Sequence, residues 1–428
     1  LRRAISAIDQ QEIRLPHFSR LTKHDLGDSA SLYSASLDRR GMVSLLLVAG
    51  VAVAAFVGFN IGGSSTGVAF GPAVGSDSVS KTGAAALMTG FAILGGATVG
   101  RNVIETMGGR IVPSDQFTLA ASVAVLFFVG LALLVSNLFG VPASTSMTAV
   151  GAIAGLGVAT GSIDWEVMGR IVTWWLVAPI TAFWICAVIG RYLFPHLEAR
   201  FTLESPGEET TLRERIGVAL VVAIGCYMAF SAGASNVANA VGPLYGGRVL
   251  GDAFLPYVAL AGGAIGLGAF TIARRTLDTV GNDLTDLPIL AALIVEVVSA
   301  SIITGLSQIG IPASLAVSAT MCIVGLGWGR ATRTTKLADA AAEAVAGPPE
   351  ESEGDEGGVT VDAIADGDGP EPPEPGEVAK IGEEDPDEIT AADLFDPAAT
   401  GRVVMLWILT PSISALASYL VFRYLPIV

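Results

Sequence analysis

Residues 231–243 read Ser231-Ala-Gly-Ala-Ser235-Asn236-Val-Ala-Asn239-Ala-Val-Gly-Pro243. The segment carries no charge, follows an apolar run at 215–232, and is rich in Gly, Ser and Asn. It is too polar to cross a bilayer as a plain helix. Irregular backbone survives at membrane depth only where protein or a watery cavity satisfies it. The stretch 233–250 therefore reads as a re-entrant or interrupted helix beside a cavity. An earlier stretch invites the same reading: Gly58-Phe-Asn60-Ile-Gly-Gly-Ser64-Ser65-Thr66-Gly-Val-Ala-Phe-Gly71-Pro72-Ala-Val-Gly-Ser76, with 61–80 as the interrupted part.

These two segments open an internal repeat. Gly71-Pro72 recurs as Gly242-Pro243, an offset of 171, and Gly140-Val-Pro-Ala-Ser144 recurs as Gly310-Ile-Pro-Ala-Ser314, an offset of 170. Arg101, Thr106 and Gly108 recur as Arg274, Thr279 and Gly281; Arg170, Trp175 and Pro179 recur as Arg402, Trp407 and Pro411, at offsets of 173 and 232. Duplicated apolar halves with matching Gly/Pro-interrupted segments point to a secondary transporter whose site lies at the repeat interface. The expected fold is all-α: a polytopic membrane protein of two inverted repeats of transmembrane helices, with paired re-entrant or broken helices. Residues 1–42 read as a polar N-terminal extension, 43–194 as the first repeat and 195–214 as a charged linker. The second repeat covers 215–329, an acidic disordered loop 330–400, and a last transmembrane helix, 401–428, completes that repeat.

Composition narrows the class. Of 428 residues, 52% are hydrophobic and 15% charged, against about 25% charged in a soluble domain. Apolar runs of helix-spanning length exclude a soluble enzyme and a disordered chain. The net charge of −16 is local: residues 343–396 hold 19 acidic residues against Lys380 alone, so the rest of the chain carries +2. A like-charge block with Gly347-Pro348-Pro349 and Pro370 to Pro375 reads as a solvated spacer and says nothing of the ligand. The first apolar run starts only near Met42, which is not the pattern of a secretory signal. Cys186, Cys226 and Cys322 sit inside apolar runs, while His17, His24 and His196 lie outside them. That spacing offers no disulfide framework and no zinc, haem or iron–sulfur site. Neither a metal nor a cofactor is expected, nor a nucleophile–base constellation, so the chain does not read as an enzyme.

The chemistry of the paired segments favours a small anion. A half-helix starting there aims free backbone N–H groups and its positive dipole end at the cavity. Ser64, Ser65 and Thr66 in the first half, and Ser235, Asn236 and Asn239 in the second, add adjustable polar groups. A second pair of helix starts, Pro142 to Met147 and Pro312 to Ser318, brings Ser144, Thr145, Ser146, Ser314 and Ser318 as further candidates. Ser144 and Ser314 also fit plain N-caps. Asn side chains can hold a small coupling cation, which singles out Asn60 and Asn236. Glu296 lies deep in an apolar run and needs a partner or a proton, with Arg101, Arg274 and Arg275 as candidate partners; it reads as a structural group or as part of the coupling path beside Asn60 and Asn236. Trp174, Trp175, Trp184, Trp328 and Trp407 read as interface anchors or packing.

The residues now resemble the PiT family of inorganic phosphate transporters. Its twin signature, Gly-Ala-Asn-Asp-Val-Ala-Asn-Ala before a Gly-Pro or Gly-Thr step, is matched closely by Gly233 to Pro243. Gly62 to Ser76 matches it mainly in its Ala-Phe-Gly-Pro end. The family's Pro-Val-Ser-Thr-Thr-His motif is similar to the runs starting at Pro142 and Pro312. The resemblance covers roughly 45–330 and 401–427. It implies an inverted repeat holding phosphate between the signature segments and the paired Ser/Thr helix starts, coupled to sodium or protons, in a homodimer. The chain departs from the family at its signature carboxylates. Asn236 and Ser65 stand at the two Asp positions, Ser235 and Ser64 at the preceding Asn positions, and Val68 replaces the later Asn that Asn239 keeps. Monohydrogen phosphate brings a proton donor for which a carboxylate is the natural acceptor; sulfate brings only acceptors. The Asn-Ile-Gly-x-Ser run resembles the family's sulfate-permease branch.

The expected function is permeation of an inorganic oxyanion, phosphate first and sulfate as the alternative, by cation-coupled alternating access across the cell membrane. Expected partners are the anion, membrane lipid and a second copy of the chain, without nucleic acid. A reading from another class is a membrane receptor or scaffold whose acidic loop recruits a basic partner.

Overall fold

The computed structural model describes residues 23–138, 144–200, 212–273, 277, 289–333 and 397–425. The acidic loop, most of the polar extension, Pro142 and the Arg274–Arg275 pair lie outside the described residues. Twelve α-helices of the described residues carry the fold, with two π-helical turns and one short 3₁₀ turn and no strand among them. The first half contains α1 (Lys23–Gly75), α2 (Lys81–Ala97), α3 (Gly100–Glu105) and a π-turn at Thr106–Arg110. It continues with α4 (Leu119–Leu138), α5 (Thr145–Thr160), α6 (Trp165–Val188), a π-turn at Ile189–Leu193 and α7 (Phe194–Arg200). The second half contains α8 (Leu212–Gly246), α9 (Leu255–Thr271), α10 (Ile289–Gln308), α11 (Leu315–Ala331) and α12 (Pro397–Tyr424). Four stretches are long and apolar enough to cross a membrane: Met42–Gly75, Trp165–Arg200, Arg215–Gly246 and Ile289–Gln308. The bent pair α2 and α3, with its π-turn, makes a fifth candidate span.

The Gly-rich segments correct one expectation. Residues 61–75 and 233–246 are not interrupted; they are the C-terminal turns of α1 and α8, with Pro72 and Pro243 inside the helices. The chain breaks its helix one element later, where α2 meets α3 at an angle of 61°. Glycine serves close approach here rather than irregular backbone. A Cβ on Gly62 would collide with the carbonyl oxygen of Ile265 on α9, and one on Gly233 with that of Ala92 on α2. Gly95 and Gly268 meet the Phe230 and Phe59 carbonyls in the same way. At the other pair of crossings Gly155 meets Ala415 of α12 and Gly325 meets Phe183 of α6.

Those contacts prove the duplication at atomic detail. Gly62 and Gly233 are equivalent, and so are their partners Ala92 and Ile265; the same holds for Phe59 and Phe230, and for Phe183 and Ala415. Each pair obeys the offset already seen for its segment in the sequence. Small residues at such crossings let backbones pack closely where lipid supplies no hydrophobic drive. The main interfaces run between halves: α1 lies along α9 and α2 along α8, while α5 lies along α12 and α6 along α11. The last helix of each half is thus packed on the other half. Sequence also sets the helix starts. Ser144 Oγ accepts from Met147 N and Ser314 Oγ from Val317 N, both at 3.3 Å, and Asp164 caps α6 through Glu166 N and Val167 N. A cap of this kind is worth about 1 kcal/mol.

Candidate functional site

Where α1 and α8 face each other between the starts of α5 and α11, a cavity of about 140 Å³ opens. One water needs roughly 10–15 Å³ of such space, so a small hydrated ion fits. Its polar lining is Asn60, Ser64 and Ser65 from α1, Asn236 from α8, Thr145 and Ser146 from α5, and Ser314 at the start of α11. Ile61, Val68, Leu133, Leu315 and Ala316 form the apolar walls. Among the described residues no charged side chain lines it. The two helix starts are equivalent in the repeat, so both halves aim a first turn of free N–H groups at one cavity.

Behind the lining on the α8 side runs a chain of hydrogen bonds. Ser235 Oγ donates to the Ala313 carbonyl at 2.6 Å, and Ser146 Oγ lies 3.3 Å from Ser235 Oγ. With the Ser235 proton committed to Ala313, Ser146 is the donor in that pair. Asn239 Nδ2 then donates to Ser146 Oγ at 3.1 Å and to Asn236 Oδ1 at 3.0 Å. Because Asn236 accepts with its oxygen, its NH₂ group remains for the cavity. Among the described residues Asn239 Oδ1 is buried without a partner. Trp175 Nε1 holds the Pro312 carbonyl at 2.8 Å, and Asn102 Nδ2 holds the Gln308 carbonyl at 2.8 Å, so the turn into α11 is fixed from three helices.

Other sequence candidates fall elsewhere. Thr66 is fully buried with its hydroxyl on the Gly62 carbonyl at 2.6 Å, and it does not line the cavity. A Thr on the inner face of a continuous helix back-bonds to its own turn, which an interrupted helix would not have allowed. Ser144 and Ser318 are buried and absent from the lining, Ser144 being occupied as an N-cap. Ser235 and Asn239 stand one layer back and orient Ser146 and Asn236. Glu296 is buried in α10, away from the cavity lining. Its proposed partner Arg101 pairs instead with Glu105, which also binds Arg110. The apolar walls escaped the sequence reading, since Ile61 and Leu133 carry no signal that separates a cavity wall from a core.

A polar, uncharged cavity between two helix starts, enclosed by a duplicated apolar bundle, defines a membrane transporter of the secondary class. The family match makes this specific: residues 61–418 fit the phosphate transporter family, and the chain belongs to that family. It is a multi-pass membrane transporter rather than an enzyme. Over 282 residues the chain is 32% identical to the sulfate permease CysP of Bacillus subtilis, covering 65% of this chain and 77% of that one. A Helicobacter pylori (strain J99) protein provisionally named a phosphate permease is 26% identical over 384 residues, 70% of this chain and 71% of the relative. In backbone the chain is similar to a solved structure titled the sodium-dependent phosphate transporter. The TM-score is 0.63 at 18% identity, covering 88% of this chain and 98% of that one, which supports the fold.

Proposed function

We propose that the chain carries an inorganic tetrahedral oxyanion across the cell membrane by alternating access between its two inverted halves, with inorganic phosphate as the first substrate. The observation that carries this reading is the cavity itself. Asn236 NH₂, the hydroxyls of Ser65, Thr145 and Ser314, and two facing helix starts offer donors on several sides at once, while Ser64 and Ser146 line the cavity with their hydroxyl protons on protein acceptors. An oxyanion approaches such groups without a counter-charge, as at helix N-termini elsewhere. Ser235 and Asn239 position the ring, and Asn60 and the spare Asn239 oxygen are acceptors for a coupling cation. Thr66, Ser144 and Ser318 support the helices around it.

A second reading, sulfate, is favoured by one observation: among the described residues no carboxylate lines the cavity. Sulfate brings only acceptors at neutral pH and loses nothing in such a site. The named activity of the Bacillus relative supports the same reading. Uptake of labelled phosphate and of labelled sulfate by proteoliposomes decides between them. Uptake of neither anion sinks the transport of an oxyanion altogether. Residues such as Leu45, Val48, Leu176 and Ile180 present apolar side chains outward, where we place lipid or a second copy of the chain. The division into two repeats, 43–194 and 215–329 with 401–428, predicts that deleting 343–396 leaves uptake intact. A chain acting as a scaffold through its acidic loop would lose its partner instead.

A further inference from the structure

The mechanism above leaves one buried ionisable group unused. Glu296 lies in the middle of α10, 5% exposed, and its Oε1 is shut off from solvent with no hydrogen-bond partner among the described residues. Two more orphaned polar atoms follow it on the same helix, Thr304 Oγ1 and Ser307 Oγ. At 100° per residue, positions 296, 304 and 307 fall within an arc of about 80°, on one face of α10. Apolar side chains would fill such a face at no cost, whereas each buried polar atom without a partner costs roughly 1–3 kcal/mol. Three in line, starting from a carboxyl, form a polar track through the membrane-embedded part of the bundle.

The track runs beside the site. Ser231 Oγ donates to the Ala300 carbonyl at 3.0 Å, one turn beyond Glu296, and Ser299 Oγ meets Met228 Sδ at 4.0 Å. Ser231 is in turn one helical turn before Ser235 and Asn236, so α8 joins the carboxyl to the cavity. At its far end the track reaches Gln308, whose carbonyl is bound by Asn102 on α3. Among the described residues, Cys186 of α6 and Cys322 of α11 share a buried cluster with Ala291 and Val295 of α10, and α7, which also packs on α10, carries His196, Glu198 and Arg200. Tyr227 donates to Ser301. Arg191 bonds the Thr332 carbonyl, and Glu105 pairs with Arg101 and Arg110.

We propose that Glu296 is the proton-carrying residue of the transporter, loaded and unloaded through water along the Thr304–Ser307 face of α10. The inference rests on the oxyanion reading above. One proton binds a Glu296 carboxylate oxygen from the side that loads the anion and leaves to water on the opposite side; no other bond changes. Proton and anion then cross together, and the carboxyl never moves as an uncompensated buried charge.

The test uses full-length protein in proteoliposomes, with two measurements on wild type and on Glu296→Gln. Counterflow of labelled anion, without any imposed gradient, reports the anion site alone. Accumulation under an inwardly directed proton gradient reports coupling. Glu296→Gln should keep counterflow and lose proton-driven accumulation, while Glu296→Asp should keep part of both. Proton-driven accumulation by Glu296→Gln equal to wild type overturns the proposal, as does wild-type accumulation that follows sodium and ignores protons. Absence of counterflow in wild type overturns the oxyanion reading first and this inference with it. Should Glu296→Gln fail to fold, Thr304→Val with Ser307→Ala takes its place. That variant should slow proton-driven accumulation and spare counterflow, and unchanged accumulation counts against the track.

Discussion

The two walls of the cavity come from equivalent helices and differ in how their polar groups are held. On α8, Ser231, Ser235 and Asn239 are fully buried, and each bonds to another element: α10, the turn before α11, and α5. On α1 the equivalent positions are Asn60, Ser64 and Val68. The Asn60 amide turns back to the Phe56 carbonyl, the Ser64 hydroxyl to those of Asn60 and Ile61, and Val68 is 42% exposed. The tryptophans repeat the contrast. Trp175 holds the Pro312 carbonyl, whereas the equivalent Trp407 has a buried indole N–H with no partner among the described residues. Backbone crossings at the glycines are matched in both halves, so the asymmetry belongs to side chains. One wall is latched across helices, while on the other the Ser64 hydroxyl turns back to its own helix.

The hardest blow to this comparison falls on the shared scaffold. Gly62→Val and Gly233→Val should each cost about 3 kcal/mol or more, by driving a side chain into a neighbouring backbone. Size-exclusion profiles and thermal unfolding in detergent should show both variants failing alike; a tolerant Gly62→Val would break the equivalence of the crossings. Next come the latches. Ser235→Ala strands the Ala313 carbonyl and should cost about 1–3 kcal/mol, while Ser64→Ala should stay within about 0.5 kcal/mol. Equal shifts in melting temperature for the two would dissolve the contrast between walls. For transport itself, Asn236→Ala and Ser65→Ala should each reduce anion uptake without lowering membrane expression. Normal uptake by both removes the site from this cavity. The smallest effect separates the tryptophans: Trp175→Phe should lower stability by about 1 kcal/mol, and Trp407→Phe, which loses no bond, should leave it unchanged or raise it slightly.

Much of the architecture was legible because duplication prints itself twice. The offsets of 171, 170 and 232 between Gly-Pro, Pro-Ala-Ser and Trp-Pro landmarks are the same offsets that relate Gly62 to Gly233, Gly155 to Gly325 and Phe183 to Ala415 in the fold. Polar residues clustered at Asn60–Ser65, Asn236 and the two Ser helix starts also marked the cavity, since uncharged polar side chains in an apolar bundle need a reason to be there. What stayed hidden was the use of glycine. A Gly that relaxes the backbone and a Gly that admits a neighbour look alike in sequence, because the deciding partner, such as Ile265 for Gly62, lies far along the chain. Thr66 lies off the cavity lining for a local reason: on a continuous helix its hydroxyl has a carbonyl of its own, that of Gly62. Ile61, Val68 and Leu133 were invisible as walls because apolar residues announce no ligand.

The exchange of last helices carries a consequence in time. The face of α5 that holds Gly151 and Gly155 is met by α12, which the chain delivers some 250 residues later, beyond the acidic loop. At about 5–20 residues per second, synthesis leaves that glycine-lined face uncovered for roughly ten to fifty seconds. For that interval the nascent bundle must be sheltered by lipid or by the insertion machinery. A chain truncated before 397 should therefore be cleared by membrane proteases rather than persist as a half-working carrier.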